Sequence, residues 1–161
     1  MIVTATKSVD DTRALAAELG PLLKPGDLIL LAGELGAGKT AFVQGLGHGL
    51  EVPEPITSPA FVLVRTYPGR LNLTHLDVYR LDHMQELVDL GIGELLDDGG
   101  VSAIEWGDVV VPVLPADLLE VRLDLGAGDD ERTLTFAPVG PSWPPRMAAI
   151  GKALEPWTSG C

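Results

Sequence analysis

The chain has 161 residues, of which 46% are hydrophobic, and its 23 acidic and 11 basic side chains give a formal net charge of −12. This length predicts one domain with a substantial core, and the apolar content excludes global disorder. The acidic balance lacks the basic footprint of a nucleic-acid binder, so we do not expect the chain to bind RNA or DNA on its own.

The first predicted elements are a short strand and a helix. Residues 2–5 form the strand, and Ser8 is a good N-cap with Asp10 and Asp11 in the first turn of the helix. The buried face of this helix is predicted to contain Leu15, Ala16, Leu19, Leu22 and Leu23. We expect the helix to end near the Pro-Gly pair at 25–26.

The stretch 33–40 fits the phosphate-binding loop pattern, which is a glycine, four residues and then Gly-Lys-Thr, at every required position. Residues 28–32 before it are an apolar run of strand length. Apolar residues after it recur at helical spacing, namely Phe42, Val43, Leu46 and Leu50. Strand, glycine loop and helix in this order predict a phosphate site. The alternative, a glycine-rich turn that contains Lys-Thr by chance, requires pattern and context both to be accidental.

Each part of this loop has a chemical task. Glycines let backbone N–H groups close around a phosphate chain without an intervening Cβ. The helix that begins there adds unpaired N–H groups and the positive end of its dipole. Lys39 is predicted to reach the β- and γ-phosphates, and the hydroxyl of Thr40 is predicted to bind Mg²⁺.

Beyond the loop and its helix, a segment with prolines at 53, 55 and 59 is predicted to be irregular. It is followed by an antiparallel hairpin, a short helix, a buried strand, a second hairpin and one helix in the tail. The first hairpin is expected to pair 61–67 with 71–79, and the second to pair 118–125 with 132–137. The short helix is expected at 81–91, the buried strand at 101–105 and the tail helix at 146–154. We predict a phosphate-loop ATPase domain at 1–139 and a proline-rich C-terminal tail at 140–161.

A metal-bound triphosphate also needs a carboxylate at a strand end near the loop. Glu105 closes the compact apolar run 101–104, and Asp77 lies on the more amphipathic strand 75–79. Either acid alone is more often a surface residue at a strand end. Spacing does not rank the two, so both remain candidates.

Four other residues allow two interpretations, with Thr57 and Ser58 considered together. Thr57 and Ser58 lie where switch loops supply groups to the γ-phosphate and metal, although an ordinary Ser-Pro turn fits as well. His75 could accept a proton, but a histidine on a half-buried strand is typically packed and hydrogen-bonded. Trp106 could lie against a nucleotide or a partner, or simply in the core.

The nucleobase can be narrowed from an absent motif. Guanine-specific switches read the base with Asn/Thr-Lys-x-Asp after an apolar strand. The only asparagine, Asn72, is followed by Leu73, and the Thr-Lys pair at 6–7 has Val9 where the acid should be. We therefore expect ATP.

The sequence also predicts a location. No apolar run approaches the roughly 20 residues that span a bilayer, and the N-terminus lacks a basic region followed by an apolar stretch. The single cysteine, Cys161, cannot form an internal disulfide. We expect a cytoplasmic protein with no membrane association.

Five pieces, in order, resemble the bacterial TsaE (YjeE) family, ATPases required to make threonylcarbamoyladenosine in tRNA. They are the phosphate loop, Thr-Ser-Pro-Ala-Phe-Val-Leu-Val at 57–64, His-Leu-Asp-Val-Tyr-Arg-Leu at 75–81, Glu-Leu-Val-Asp-Leu-Gly-Ile at 86–92 and Ile-Glu-Trp at 104–106. The phosphate loop is shared by many families, whereas the third and fifth pieces in this order are far more specific.

The resemblance implies a three-layer α/β phosphate-loop fold with a central sheet of mixed parallel and antiparallel strands. It implies ATP and Mg²⁺ as cofactors, with Lys39, Asp77 and Glu105 as catalytic residues and Thr40, Glu105 and Asp77 at the metal. The nucleotide-binding residues it implies are Asp10, Gly33, Gly36, Ala37, Gly38, Lys39, Thr40, Ala41, Ser58, Trp106 and Arg132.

Two departures from the family pattern affect this carry-over. Ala41 stands where the family usually has a second threonine, so one phosphate contact is expected from the backbone alone. The family usually has Ser-Pro-Thr where this chain has Ser-Pro-Ala at 58–60. Ala60 therefore replaces the threonine, and a switch hydroxyl is missing.

The partners implied by the resemblance are TsaB and TsaD, with tRNA reached only through that complex. Hydrolysis by the chain would drive or reset the complex between turnovers. A small-molecule kinase that uses the same loop is the alternative, although no lid segment is evident. A scaffold that binds ATP without hydrolysing it is a third reading.

Overall fold

The computed structural model describes residues 1–34, 36–57, 64–78, 99–106 and 117–158. In those ranges the chain forms seven strands and three α-helices. The strands are β1 (Ile2–Thr6), β2 (Leu28–Gly33), β3 (Val64–Tyr67), β4 (Leu73–Val78), β5 (Val101–Trp106), β6 (Leu118–Leu125) and β7 (Arg132–Val139). The helices are α1 (Val9–Leu19), α2 (Lys39–Gly49) and α3 (Met147–Ala153).

All seven strands belong to one sheet in the order β1-β7-β6-β2-β5-β4-β3. The four central strands β6, β2, β5 and β4 run parallel, whereas β7, β1 and β3 are antiparallel to their neighbours. The predicted mixed α/β sheet is therefore confirmed, as are both predicted hairpins. Because parallel strands end at one edge of a sheet, the loop after β2 and the ends of β5 and β4 meet there.

Helix α1 begins as predicted. The Oγ atom of Ser8 accepts a hydrogen bond of 3.0 Å from the backbone N–H of Asp11, whose carboxylate accepts one of 2.9 Å from the N–H of Lys7. The first bond satisfies a backbone donor that the helix itself leaves unpaired, and the second ties the residue before the N-cap to the first turn.

The predicted end of α1 near 25–26 was wrong. The α-helix ends at Leu19 and continues as a single 3₁₀ turn at Gly20–Leu22. Pro21 explains the change, since proline has no N–H to donate and its ring clashes with the preceding turn of an α-helix.

Helices α1 and α2 pack closely against each other, and their apolar faces join the core. Phe42, Val43, Leu46 and Leu50 are fully buried, as the helical spacing predicts. Gly45 allows the close approach, since a Cβ atom there would lie 2.2 Å from the carbonyl oxygen of Arg13 on α1.

Residues 140–158 pack onto the same core. Trp143, Ile150 and Leu154 are buried and belong to its apolar cluster. Arg146 donates two hydrogen bonds of 2.8 Å to the carboxylate of Asp27, and its guanidinium lies 4.1 Å from the ring centroid of Trp143. The predicted tail helix is present as α3.

Some expectations fall outside the described residues, namely the helix at 81–91 and the first three residues of the strand at 61–67. Among the helices that are described, none has both the length and the hydropathy needed to cross a membrane.

Candidate functional site

The loop between β2 and α2 has the backbone that its glycines predict. Gly36 and Gly38 adopt positive φ angles of 85° and 105°, which side chains with a Cβ rarely tolerate. Gly38 is the N-cap of α2, and because glycine has no side chain, no side-chain cap occupies the N–H groups of the first turn. The start of α2 is therefore suited to an anion, because its first N–H groups and its dipole point outward.

Lys39 lies at the first position of α2, and its side chain is folded back over the loop. The Nζ atom donates a hydrogen bond of 2.8 Å to the carbonyl oxygen of Gly33, the first glycine of the pattern. This bond holds the ammonium beside the loop backbone, which is the position that a phosphate-binding lysine requires.

Thr40 and Glu105 meet at the edge of the sheet. The Oγ1 atom of Thr40 donates to the carboxylate of Glu105, at 3.2 Å from Oε1 and 3.0 Å from Oε2. Glu105 is only 5% exposed and lies on β5, directly beside β2. A hydroxyl that donates its hydrogen to Glu105 keeps its oxygen lone pairs for a cation.

This contact distinguishes the two candidate acids. Asp77 is the register partner of Glu105, but it lies on β4, one strand further from β2. Register partners on parallel strands point to the same face, so the half-buried carboxyl of Asp77 is a neighbour of Glu105. Glu105 is the acid that the structure joins to Thr40.

His75 is the site residue whose connection sequence reasoning missed. Its ring is fully buried, and Nε2 is hydrogen-bonded to Oε2 of Glu105. The interpretation of His75 as a packed, hydrogen-bonded residue is confirmed, but its partner was not foreseen. The available signal was the spacing of His75 and Asp77, which places both on one face of β4.

Arg132, at the start of β7, contacts the phosphate loop itself. Its Nε donates to the carbonyl of Ala37 at 3.1 Å, and a terminal nitrogen donates to that of Gly36 at 3.2 Å. The other terminal nitrogen donates to the carbonyls of Asp129 and Glu131, each at 2.8 Å. One guanidinium thus joins the β6–β7 hairpin to the loop.

Of the remaining predicted positions, the structure describes the side chain of Asp10, which makes no hydrogen bond or ion pair with the described residues of the loop. Asp10 is exposed in the first turn of α1 and forms an ion pair of 2.9 Å with Arg13. It follows β1, whose last residue Thr6 is the register partner of Arg132. Ser58 and the side chain of Trp106 lie outside what the structure describes.

The segment that leads to Ser58 is anchored to α2. Gln44 donates a hydrogen bond of 2.8 Å to the carbonyl of Ile56, and Arg65 on β3 donates one of 3.2 Å to Oγ1 of Thr57. A cavity of about 320 Å³ lies behind this segment, lined by Arg13, Gln44, His48, Val52, Glu54, Pro55 and Ile56. None of these lining residues belongs to the phosphate loop, so the cavity is separate from it.

The donor set suits Mg²⁺ only in combination with a ligand. Thr40 and Glu105 supply the hard oxygen atoms that Mg²⁺ prefers. Within the described ranges, no group of three His, Cys, Asp or Glu side chains could hold a metal ion alone. A magnesium ion here would therefore complete its shell with water and phosphate oxygens, as is usual in phosphoryl-transfer sites.

A family model described as threonylcarbamoyl adenosine biosynthesis protein TsaE matches residues 6–134. The chain belongs to the TsaE family. It is 42% identical over 132 residues to the tRNA threonylcarbamoyladenosine biosynthesis protein TsaE of Treponema pallidum, covering 82% of this chain and 97% of that protein. It is 40% identical over 136 residues to the Bacillus subtilis protein of that name, with 84% of each covered. The crystal structure of Bacillus subtilis YdiB shares 34% identity and a TM-score of 0.73 over 97% of each chain.

TsaE membership confirms the resemblance drawn from the five motifs. The matched segment contains every predicted site residue, from Asp10 to Arg132. It ends before the tail that carries α3, so that part of the chain lies beyond the family match. Of the two departures from the TsaE pattern, Ala41 is buried in α2 and Ala60 lies outside the described residues.

Proposed function

We propose that this chain binds and hydrolyses Mg-ATP in the loop between β2 and α2, and that hydrolysis drives or resets the TsaB–TsaD complex in tRNA threonylcarbamoyladenosine modification. The observation that carries the proposal is the bond between Thr40 and Glu105 beside a complete phosphate-loop pattern. A hydroxyl at a helix start and a carboxylate at a neighbouring strand end are the groups that hold nucleotide-bound magnesium in phosphate-loop enzymes, which supports the proposal.

In this proposal, the loop backbone and Lys39 hold the phosphate chain. The N–H groups at the start of α2 donate to phosphate oxygens, and the ammonium of Lys39 offsets their charge. Local positive charge is needed because the chain carries a net charge of −12. Arg132 supports the same loop from outside through the carbonyls of Gly36 and Ala37.

Thr40 and Glu105 would hold the magnesium ion, with Asp77 beside them on β4. Bound magnesium supplies charge neutralisation at the phosphate oxygens during transfer. In this proposal, the carboxyl group of Asp77 would orient the attacking water or a water of the metal shell. A half-buried acid next to Glu105 in register supports this role.

The family to which the chain belongs supports the proposed partners. Members are named for threonylcarbamoyladenosine biosynthesis in tRNA, yet this chain has 11 basic residues against 23 acidic ones. We therefore assign tRNA contact to the partner proteins TsaB and TsaD, and we place the activity in the cytoplasm. A hydrolase that switches a partner needs no pocket for a second substrate, and activity is expected to be slow without the partners.

The direct test is ATP hydrolysis by the purified chain with and without the TsaB–TsaD complex. We expect Lys39→Ala and Glu105→Ala each to lower turnover by about 10²-fold or more, since each removes an electrostatic contact to the reacting group or its metal. Lys152→Ala and Glu18→Ala are matched controls at exposed positions and should leave turnover unchanged.

The results of this assay distinguish the ATPase hypothesis from the kinase and scaffold hypotheses. Turnover that survives both substitutions would overturn the site assignment. Transfer of the phosphoryl group to a metabolite without any partner would favour the kinase. Nucleotide binding without hydrolysis under every partner condition would favour the scaffold.

A further inference from the structure

His75 is a fully buried imidazole that no step of the proposed hydrolysis uses. It lies on β4, two residues before Asp77, and its Nε2 is bonded to Oε2 of Glu105. Among the described residues, its Nδ1 has no hydrogen-bond partner. A buried polar ring with one bonded and one unpaired nitrogen requires an explanation, because desolvating a polar atom without a partner costs free energy.

The bond to Glu105 identifies the nitrogen that carries the proton. A carboxylate oxygen that already accepts from Thr40 can only accept again, so His75 must donate from Nε2. The tautomer with its proton on Nε2 leaves Nδ1 as a bare acceptor. A proton on Nδ1 would instead place an unpaired N–H in the interior and would remove the donor that Glu105 needs.

Glu105 is therefore held from two sides. Thr40 approaches from the start of α2, and His75 approaches from β4. A glutamate side chain has three rotatable bonds, so the single hydroxyl of Thr40 restrains its carboxylate less than two donors do. Two contacts from different elements restrict that rotation to one orientation.

We propose that His75 is a positioning residue that keeps the carboxylate of Glu105 turned toward Thr40 and thereby sets the affinity of the site for its divalent cation. This inference rests on the proposed function, because the cation is the one that accompanies the nucleotide. Partners that orient a metal-binding carboxylate commonly change metal affinity by 10-fold to 100-fold when removed.

Two amide variants test the inference. In His75→Gln the side-chain NH₂ lies at the reach of Nε2, whereas in His75→Asn it lies at the reach of Nδ1. The probe is Mn²⁺, whose binding to the ADP-bound chain is followed by electron paramagnetic resonance. We expect Mn²⁺ affinity to fall about 10-fold or more in His75→Asn and to stay close to that of the unmodified chain in His75→Gln.

The affinity for ADP in excess EDTA serves as the control. It should be equal in all three proteins, because the phosphate loop and Lys39 are unchanged. Equal Mn²⁺ affinities in the two variants would overturn the positioning role, while leaving the proposed function in place. If the unmodified chain bound ADP with no dependence on Mn²⁺, the proposed function itself would be overturned, and the positioning role with it.

A second measurement uses only the unmodified chain and does not depend on the folding of any variant. Nitrogen-15 spectra of histidine-labelled protein report which ring nitrogen carries the hydrogen. We expect His75 to show the Nε2–H tautomer, which Glu105→Gln should perturb. A resonance typical of Nδ1–H at His75 in the unmodified chain would overturn the inference.

Discussion

At the start of α2, the hydroxyl of Thr40 donates to the carboxylate of Glu105 and would also bind the proposed cation. Thr40→Val keeps the shape of the side chain and removes the donor, so buried Glu105 loses a hydrogen bond. We expect the free energy of unfolding to fall by about 1–3 kcal/mol and the Mg²⁺ dependence of ADP binding to disappear. Chemical denaturation and ADP titration with and without Mg²⁺ check this, with Thr40→Ser as the variant that should retain both properties. Unchanged stability in Thr40→Val would contradict the bond.

Arg132 is a second single residue that affects the site, through the arrangement of its hydrogen-bond donors around the phosphate loop. Its guanidinium donates to two loop carbonyls and two hairpin carbonyls, and this requires a rigid fork of donors. We expect Arg132→Lys to lower ADP affinity about tenfold although it keeps the charge, and Arg132→Met to lower it at least as much. Calorimetric titration measures this. If Arg132→Lys bound ADP as the unmodified chain does, the residue would act through its charge and not by supporting the loop.

Among the elements, α1 and α2 pack closely at Gly45, and alanine there is expected to have the opposite effect on stability to alanine at Gly151 in α3. A Cβ at Gly45 would meet the backbone oxygen of Arg13 at 2.2 Å, whereas one at Gly151 in α3 would meet only the side chain of Ile2 at 3.6 Å. We expect Gly45→Ala to destabilise the fold by about 1–3 kcal/mol. Gly151→Ala should stabilise it by about 0.5–1 kcal/mol, because alanine has the higher helix propensity. Denaturant midpoints compare the two, and equal shifts would contradict the close packing.

The order of the strands in the sheet limits how much of the site could be predicted from the sequence. The phosphate loop, its flanking strand and helix, and the N-cap of α1 follow from local patterns, and all three were predicted. The choice between Asp77 and Glu105 was not, since it depends on which strand lies beside β2. Strand order in a parallel sheet is set by crossover connections, and no local pattern records it. The contact of His75 with Glu105 was missed for the same reason.

At the scale of the whole molecule, the C-terminal segment is bound to the N-terminal part of the chain. Trp157 donates its indole N–H to the carboxylate of Asp11 at 2.8 Å, beside the N-cap of α1. The pair of Arg146 and Asp27 ties the segment to the turn before β2. The contact with Asp27 reaches the turn before β2, which leads into the phosphate loop, although the segment lies beyond the residues that the family model matches.

A chain that ends at Val139 tests whether this segment is part of the folded unit. It would lose Trp143, Ile150 and Leu154, all buried in the common core. Removing a buried tryptophan side chain alone costs about 3–5 kcal/mol, a large share of the 5–15 kcal/mol that typically stabilises a domain. We therefore expect residues 1–139 to show no cooperative thermal transition by circular dichroism, whereas a chain that ends at Thr158 should unfold as the full chain does. A normal transition in the shorter chain would make residues 140–161 a separate appendage, because the phosphate-loop domain would then be stable without them.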